Sequence, residues 1–126
     1  MLNTYAAKAI VAVKEPAAVR TFYSEILGLE LLREDEEYLL FKAGDSKLFL
    51  YRSTFAGTNQ ATSVTWTVGD ALESLVKALG ERGVRFEHYG LPDMKREGDI
   101  HLISEEKAAW FKAPEGNIHC LLNVDV

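Results

Sequence analysis

Three histidines, a single cysteine and a group of acids near residue 100 are the side chains of this 126-residue chain whose chemistry could go beyond packing. Imidazole and thiolate ligate metals or act as bases and nucleophiles, but only with partners at defined spacing, such as two imidazoles one helical turn apart. His88, His101 and His119 lack that spacing. His101 lies near Glu97, Asp99, Glu105 and Glu106, which could hold a cation weakly at the surface or simply form a solvated loop. Because His88 and His101 flank this loop, both are expected to be exposed. His119 alternates with Ile118 and Cys120, so it should face away from the thiol, partly buried and bonded to backbone. No nucleophile elbow, phosphate-cradling glycine loop or Cys–His pair of recognised spacing occurs.

Composition narrows the partners. Apolar residues make up 48% and charged residues 26%, ordinary for a globular chain long enough to bury a core. A net charge of −5, with Lys and Arg scattered, offers no basic stripe for a phosphate backbone, which argues against nucleic acid. No apolar run approaches the ~20 residues of a membrane span. The lone Cys120 cannot form an internal disulfide, and the N-terminus has neither the basic start nor the cleavage site of a secretory signal. The expectation is a cytoplasmic protein that does not engage membranes.

The elements that must position these groups come in two similar halves. Residues 8–13 read as a strand, and Pro16 opens a helix with Val19, Phe22, Tyr23, Ile26 and Leu27 on one face, ended by Gly28. Strand-like segments follow at 29–33, 38–42 and 47–52, the last two joined by Ala43-Gly44-Asp45-Ser46. In the second half, 62–68 reads as a strand. Asp70 and Glu73 resemble a capping box, Leu72, Leu75, Val76 and Leu79 form a helical stripe, and Gly83 ends it. Strands are expected at 84–88, 107–112 and 118–124, with a long connection over 89–106 that acts either as a rim or lid or as a solvated connector.

Landmark residues repeat as well as elements. Val13, Glu15 and Gly28 recur as Val68, Asp70 and Gly83 at an offset of 55, and Phe41-Lys42-Ala43 recurs as Phe111-Lys112-Ala113 at an offset of 70. The expected organisation is one domain over 1–126, with module one at about 5–53, a linker at about 54–61 and module two at about 62–124.

Phe22-Tyr23 followed by Leu27-Gly28-Leu29, and Trp110-Phe111-Lys112-Ala113-Pro114-Glu115-Gly116-Asn117, resemble the vicinal oxygen chelate superfamily of glyoxalases, extradiol dioxygenases and bleomycin-resistance proteins. The second motif departs from the family pattern at Ala113, where an aspartate is usual. The resemblance implies an α+β fold of two βαβββ modules forming a curved mixed sheet, with helices on its outer face. It also implies a cup around a divalent metal, ligated from the first and last strand of each module, and module exchange in a dimer as a recurring arrangement.

Carried onto this chain, the family's ligand positions fall on Lys8, Leu50, Ser63 and Cys120. Ammonium has no lone pair, Leu offers nothing, and a Ser hydroxyl is a poor ligand, so neither metal nor other cofactor is expected. Side chains two apart share a face of a strand. Lys8, Ile10 and Ala12 should therefore line the cup with Ser63, Thr65 and Thr67, Leu48, Leu50 and Arg52, and Ile118, Cys120 and Leu122. Trp110 is a further candidate wall. Such a cup suits an organic ligand with an apolar or aromatic body and an acidic or carbonyl group, met by Lys8 and Arg52. The expected function is binding or sequestration of a small organic molecule by a homodimer, in the manner of bleomycin-resistance proteins. The alternatives are a metal-dependent glyoxalase- or dioxygenase-type enzyme with ligands elsewhere, and a non-catalytic dimeric interaction module.

Overall fold

Each half of the sequence builds its own mixed sheet. In the computed structural model, which describes residues 1–125, β1 (Ala9–Val13) lies parallel to β4 (Ser46–Arg52). Outward from β4 come β3 (Tyr38–Ala43) and then β2 (Glu30–Glu34). In the second sheet β5 (Thr62–Thr67) lies parallel to β10 (Ile118–Leu122), followed by β9 (Glu106–Lys112), β8 (Ile100–Ile103) and β7 (Lys95–Glu97). The two-residue β6 (Phe86–Glu87) also pairs with β9. With α1 (Pro16–Thr21) and α2 (Leu72–Glu81) this is a mixed α+β fold, with ten strands among the described residues. The chain divides into one compact unit over Met1–Thr58 and a second from Asn59 onward. Among the described residues no helix is long and apolar enough to cross a membrane.

The helix ends follow the sequence signals unevenly. Pro16 sits in the first turn of α1, where its missing N–H costs nothing. The expected helix runs on, but as a wider π turn over Phe22–Ile26, with the Leu27 N–H reaching the Phe22 carbonyl at 2.9 Å. Gly83 ends α2 with φ +92°, while its N–H and that of Val84 return to the carbonyls of Gly80 and Leu79 at 3.1 and 3.0 Å. The capping box does not form. A 3₁₀ turn over Gly69–Ala71 leads into α2 without a side-chain cap, and Glu73 instead accepts from Lys107 Nζ at 3.1 Å.

Each sheet has one face under its helix. The Tyr23 ring from the π turn that continues α1 stacks on Phe41 of β3 at 5.8 Å, and Val11, Val13, Leu39, Leu48 and Leu50 are buried on that side. In the second unit the Lys107–Glu73 pair places α2 over the face that buries Ala109, Phe111, His119 and Leu121. Burying these alternating side chains is the main favourable term for each unit, at ~25 cal/mol per Å² of apolar surface removed from water.

Two details of the sheets differ from the sequence reading. The expected strand at 84–88 shrinks to β6, and the expected loop contains the β7–β8 hairpin, turning at Gly98 with φ +60°. Phe86 and Glu87 pair with Phe111 and Trp110, and His101 then pairs with Ala108, so β6 and β8 form one strand beside β9, interrupted by an excursion and flanked by β7 only along β8. The equivalent strand of the first sheet, β2, has only a bulge between Leu31 and Arg33. The second difference lies in the turns. Four residues (43–46) separate the pair Lys42↔Lys47, whereas five (113–117) separate Lys112↔Ile118. The repeat offset is therefore 118 − 47 = 71 beyond the turn, not 70.

Candidate functional site

That extra residue moves a candidate from one face to the other. In the first unit Ile10 and Ala12 pair with Phe49 and Tyr51, while Leu50 pairs with Val11 and Arg52 with Val13. Side chains in register share a face, so Leu48, Leu50 and Arg52 do not stand with Ile10 and Ala12. Leu50 is fully buried on the helix side. The open face of the first sheet carries Ile10, Ala12, Phe49 and Tyr51, with Tyr38 stacked on Phe49 at 5.0 Å. Ile10 and Tyr51 are 57% and 41% exposed, which leaves an aromatic-rich apolar surface. Lys8 is exposed just ahead of β1.

Arg52 is already engaged. Its guanidinium meets Glu15 at 3.0 Å and Glu37 at 3.5 Å, and donates to the Glu36 carbonyl at 2.8 Å. It ties the end of β4 to the start of α1 and to the β2–β3 turn, and with Lys14, Glu15, Ser53 and Thr54 it borders an open cleft of about 340 Å³.

In the second unit the register groups Thr65, Thr67, Cys120 and Leu122 as the sequence reading does, but pairs Ile118 with Thr62 rather than Ser63. Thr65 pairs with Cys120 and Thr67 with Leu122, and across β10 these meet Trp110 and Ala108. Cys120, Leu122 and Ala108 form a buried cluster with Trp110 packed against it. Thr65 and Thr67 are exposed along its border. Ser63 lies where β5 and β10 slip register, and its hydroxyl accepts from Asn59 Nδ2 at 3.1 Å. Burial pushes the Cys120 thiol up to about 11, so it is neutral at physiological pH and a poor nucleophile or ligand.

Trp110 is the hub of this face. Its indole N–H donates to Thr62 Oγ1 at 3.1 Å, and its ring meets Tyr89 and His101 edge-on at 5.4 and 5.0 Å. Beside it opens a cleft of about 250 Å³ lined by Gln60, Ala61, Thr62, Tyr89, Leu91, Trp110 and Ile118. Leu91 is 55% exposed at its edge. Of these residues the sequence reading names only Trp110 as a wall and places Ile118 on the cup face; the others come from the excursion, from the approach to β5 and from its first residue.

The histidines separate. His88 is exposed as expected and pairs with Asp99 at 2.7 Å. His101 is not: it belongs to β8, is 0% exposed, and accepts the Tyr89 backbone N–H on Nε2 at 2.9 Å. Loss of water lowers its pKa most, with the positive Arg96 and His88 acting the same way and the backbone near Ala108 and Asp99 opposing. His119 is also fully buried, rather than partly so. Its Nδ1 accepts the Trp66 indole N–H at 3.0 Å, and the ring lies nearly parallel to Phe111 and Trp66. Burial lowers its pKa to about 4. Among the described residues no three His, Cys, Asp or Glu are grouped to hold a metal ion.

A helix-backed mixed sheet in each half, with the first strand at one side and parallel to the last, defines the class of paired βαβββ proteins. The chain belongs to the Glyoxalase/Bleomycin resistance protein/Dioxygenase superfamily, whose family model matches residues 3–121. Among solved structures it is similar to a glyoxalase family protein from Enterococcus faecalis, with TM-score 0.72, 21% identity, and coverage of 97% of this chain and 99% of that one. A bleomycin-binding protein complexed with bleomycin gives TM-score 0.71 at 16% identity, covering 95% and 98%. The fosfomycin resistance protein FosX from Listeria monocytogenes, complexed with Mn(II) and sulfate, gives 0.70 at 9%, covering 96% and 90%. At such identities the likeness is one of fold. No match was found among curated proteins.

Proposed function

We propose that this chain binds a small organic molecule with a flat apolar body, without a metal. The observation that carries this reading is the cleft beside Trp110: two aromatic rings and three aliphatic side chains, with Thr62 and Gln60 as its polar edge. Because Thr62 Oγ1 accepts from Trp110, its own O–H is left to donate to a carbonyl or carboxylate. A cleft of about 250 Å³ suits one or two fused rings, slightly below the usual range for drug-sized ligands. On the first open face, Lys8 and the Phe49–Tyr38 stack offer a comparable pairing of cation and aromatic surface.

The metal implied by the family does not fit the donors of either unit. The first offers Lys8 and, by register, Phe49; the second offers Ser63 and a thiol held neutral by burial. The bleomycin complex of a structural relative supports binding as the role, and the acidic net charge of −5 suits cationic ligands. The reading extends to a cytoplasmic homodimer, supported by the lone buried thiol and the exposed apolar face around Ile10 and Tyr51.

The test is calorimetric titration of untagged protein with bleomycin and a panel of aromatic carboxylates, with and without chelator. Saturable binding that ignores the chelator and weakens about tenfold in Trp110→Ala is expected, the size of one lost aromatic contact. Stoichiometric divalent metal in the purified protein, or binding that the chelator abolishes, would overturn the proposal in favour of the enzyme reading.

A further inference from the structure

The excursion between β6 and β8 of the second sheet rests on one imidazole. Tyr89 begins it, and the Tyr89 N–H donates to His101 Nε2 at 2.9 Å. That bond requires a lone pair on Nε2, so the neutral ring carries its proton on Nδ1. Nδ1 has no hydrogen-bond partner although the ring is fully buried. Above the imidazole, the Tyr89 ring lies 5.9 Å away and meets Trp110 edge-on at 5.4 Å. Tyr89 and Leu91 are also the excursion's contribution to the cleft, whose other walls belong to the sheet or its approach. One acceptor atom thus holds a wall of the cleft in place.

We infer that His101 is a proton-operated latch: protonation of Nε2 replaces the lone pair that holds the Tyr89 N–H, and residues 89–94 lift from the cleft. Regulation of ligand access rests on reading the cleft as the binding site; the latch itself does not. Burial of the ring sets its direction, disfavouring the charged form against the nearby backbone of Ala108 and Asp99, and the positive groups around it act the same way as burial. Arg96, in register with His101 on β7, and His88 at the foot of the excursion both resist added positive charge. The carboxylate of Asp99 is taken up by His88 at 2.7 Å, and Cys120 is neutral. The latch is therefore closed at neutral pH and opens below the ordinary histidine range. The His88–Asp99 pair, at 2.7 Å, does not involve the Tyr89–His101 bond, so the β7–β8 turn stays anchored while residues 89–94 are released.

Hydrogen exchange read by mass spectrometry on the full chain, corrected for intrinsic rates, tests this between about pH 8 and about pH 5, which spans histidine titration. In a His119→Phe background, which removes the acid loss of stability of the whole unit, protection of residues 89–94 is expected to fall about tenfold on acidification with β9 and β10 unchanged, as one lost hydrogen bond predicts. His101→Gln, whose amide oxygen accepts at every pH, is expected to remove the pH dependence. Protection that survives at the acid end, or an equal loss in His101→Gln, would overturn the latch. Should that variant fail to fold, the wild-type ¹⁵N spectrum decides: the Tyr89 amide and the His101 ring titrate together if the latch exists, and separately if it does not. Exchange reads the excursion without ligand. Absence of bleomycin binding at every pH would therefore sink the binding reading, while the exchange data still decide the latch.

Discussion

The indole N–H of Trp66 donates to Nδ1 of His119 at 3.0 Å, joining β5 to β10 on the helix side of the second sheet. His119 lies flat against Phe111, with ring centroids 5.0 Å apart. A charged ring here would turn its Nδ1 from acceptor to donor against the indole, inside an apolar layer.

Stability should therefore fall with acid in a defined window. Burial lowers the His119 pKa from 6.5 to about 4, so the unfolded chain binds the proton first as pH drops. The native state loses stability from about pH 6.5 downward and stops losing it below about pH 4, a total on the order of 3 kcal/mol. Urea unfolding at a series of pH values measures this. His119→Phe, which cannot take up a proton, should flatten the curve in that window; an unchanged slope would assign the acid sensitivity to another group.

Leu50 and Phe49 test the register of the first sheet. Leu50→Ala should cost about 2–5 kcal/mol, because it leaves a cavity against Val11 in a closed core. Phe49→Ala, on the open face, should cost about 1–2 kcal/mol, since that surface stays partly in water. The reverse order in denaturant midpoints would mean that the faces have been assigned the wrong way round.

These same residues show where the sequence is informative. The β–α–βββ order, the repeat of Gly28 as Gly83 and the shared face of Thr65 and Cys120 are legible in periodicity, because alternation and helix-stop chemistry are local. The position equivalent to Cys120 cannot be placed by subtraction alone. One residue added to the β9–β10 turn shifts everything after it, and with a period of two a single step exchanges the faces. The burial of His101 escapes the sequence for a related reason. Its neighbours are loop-like in composition, and only the pairing of β8 with β9 and the return of Tyr89 over the ring bury it. The cleft unites Gln60, Tyr89 and Trp110 through tertiary contact, which spacing does not record.

Arg52 should matter little to stability at high salt. Its pairs with Glu15 and Glu37 are partly exposed, and pairs of that kind contribute about 0.2–1 kcal/mol each. Arg52→Met should lower stability by about 1–2 kcal/mol at low ionic strength and less at high, since the Glu36 carbonyl also loses its donor. It should leave ligand affinity unchanged, because the fork points into this clamp. Weaker titration of an acidic ligand in Arg52→Met, without a change in fold, would return Arg52 to the site.

Cys120 offers the most direct check on the open face of the second sheet. The thiol is 5% exposed and held neutral, and its neighbours Ala108, Leu122 and Trp110 exclude water. Iodoacetamide at neutral pH should modify it at least about a hundredfold more slowly than a free thiol, because both thiolate fraction and access are reduced. Denaturant should restore the full rate. A ligand seated in the cleft should slow the residual reaction further by pinning Trp110 over its register partner Cys120. Labelling at the free-thiol rate in the folded protein would mean that the face is open to solvent and that the apolar floor is not formed.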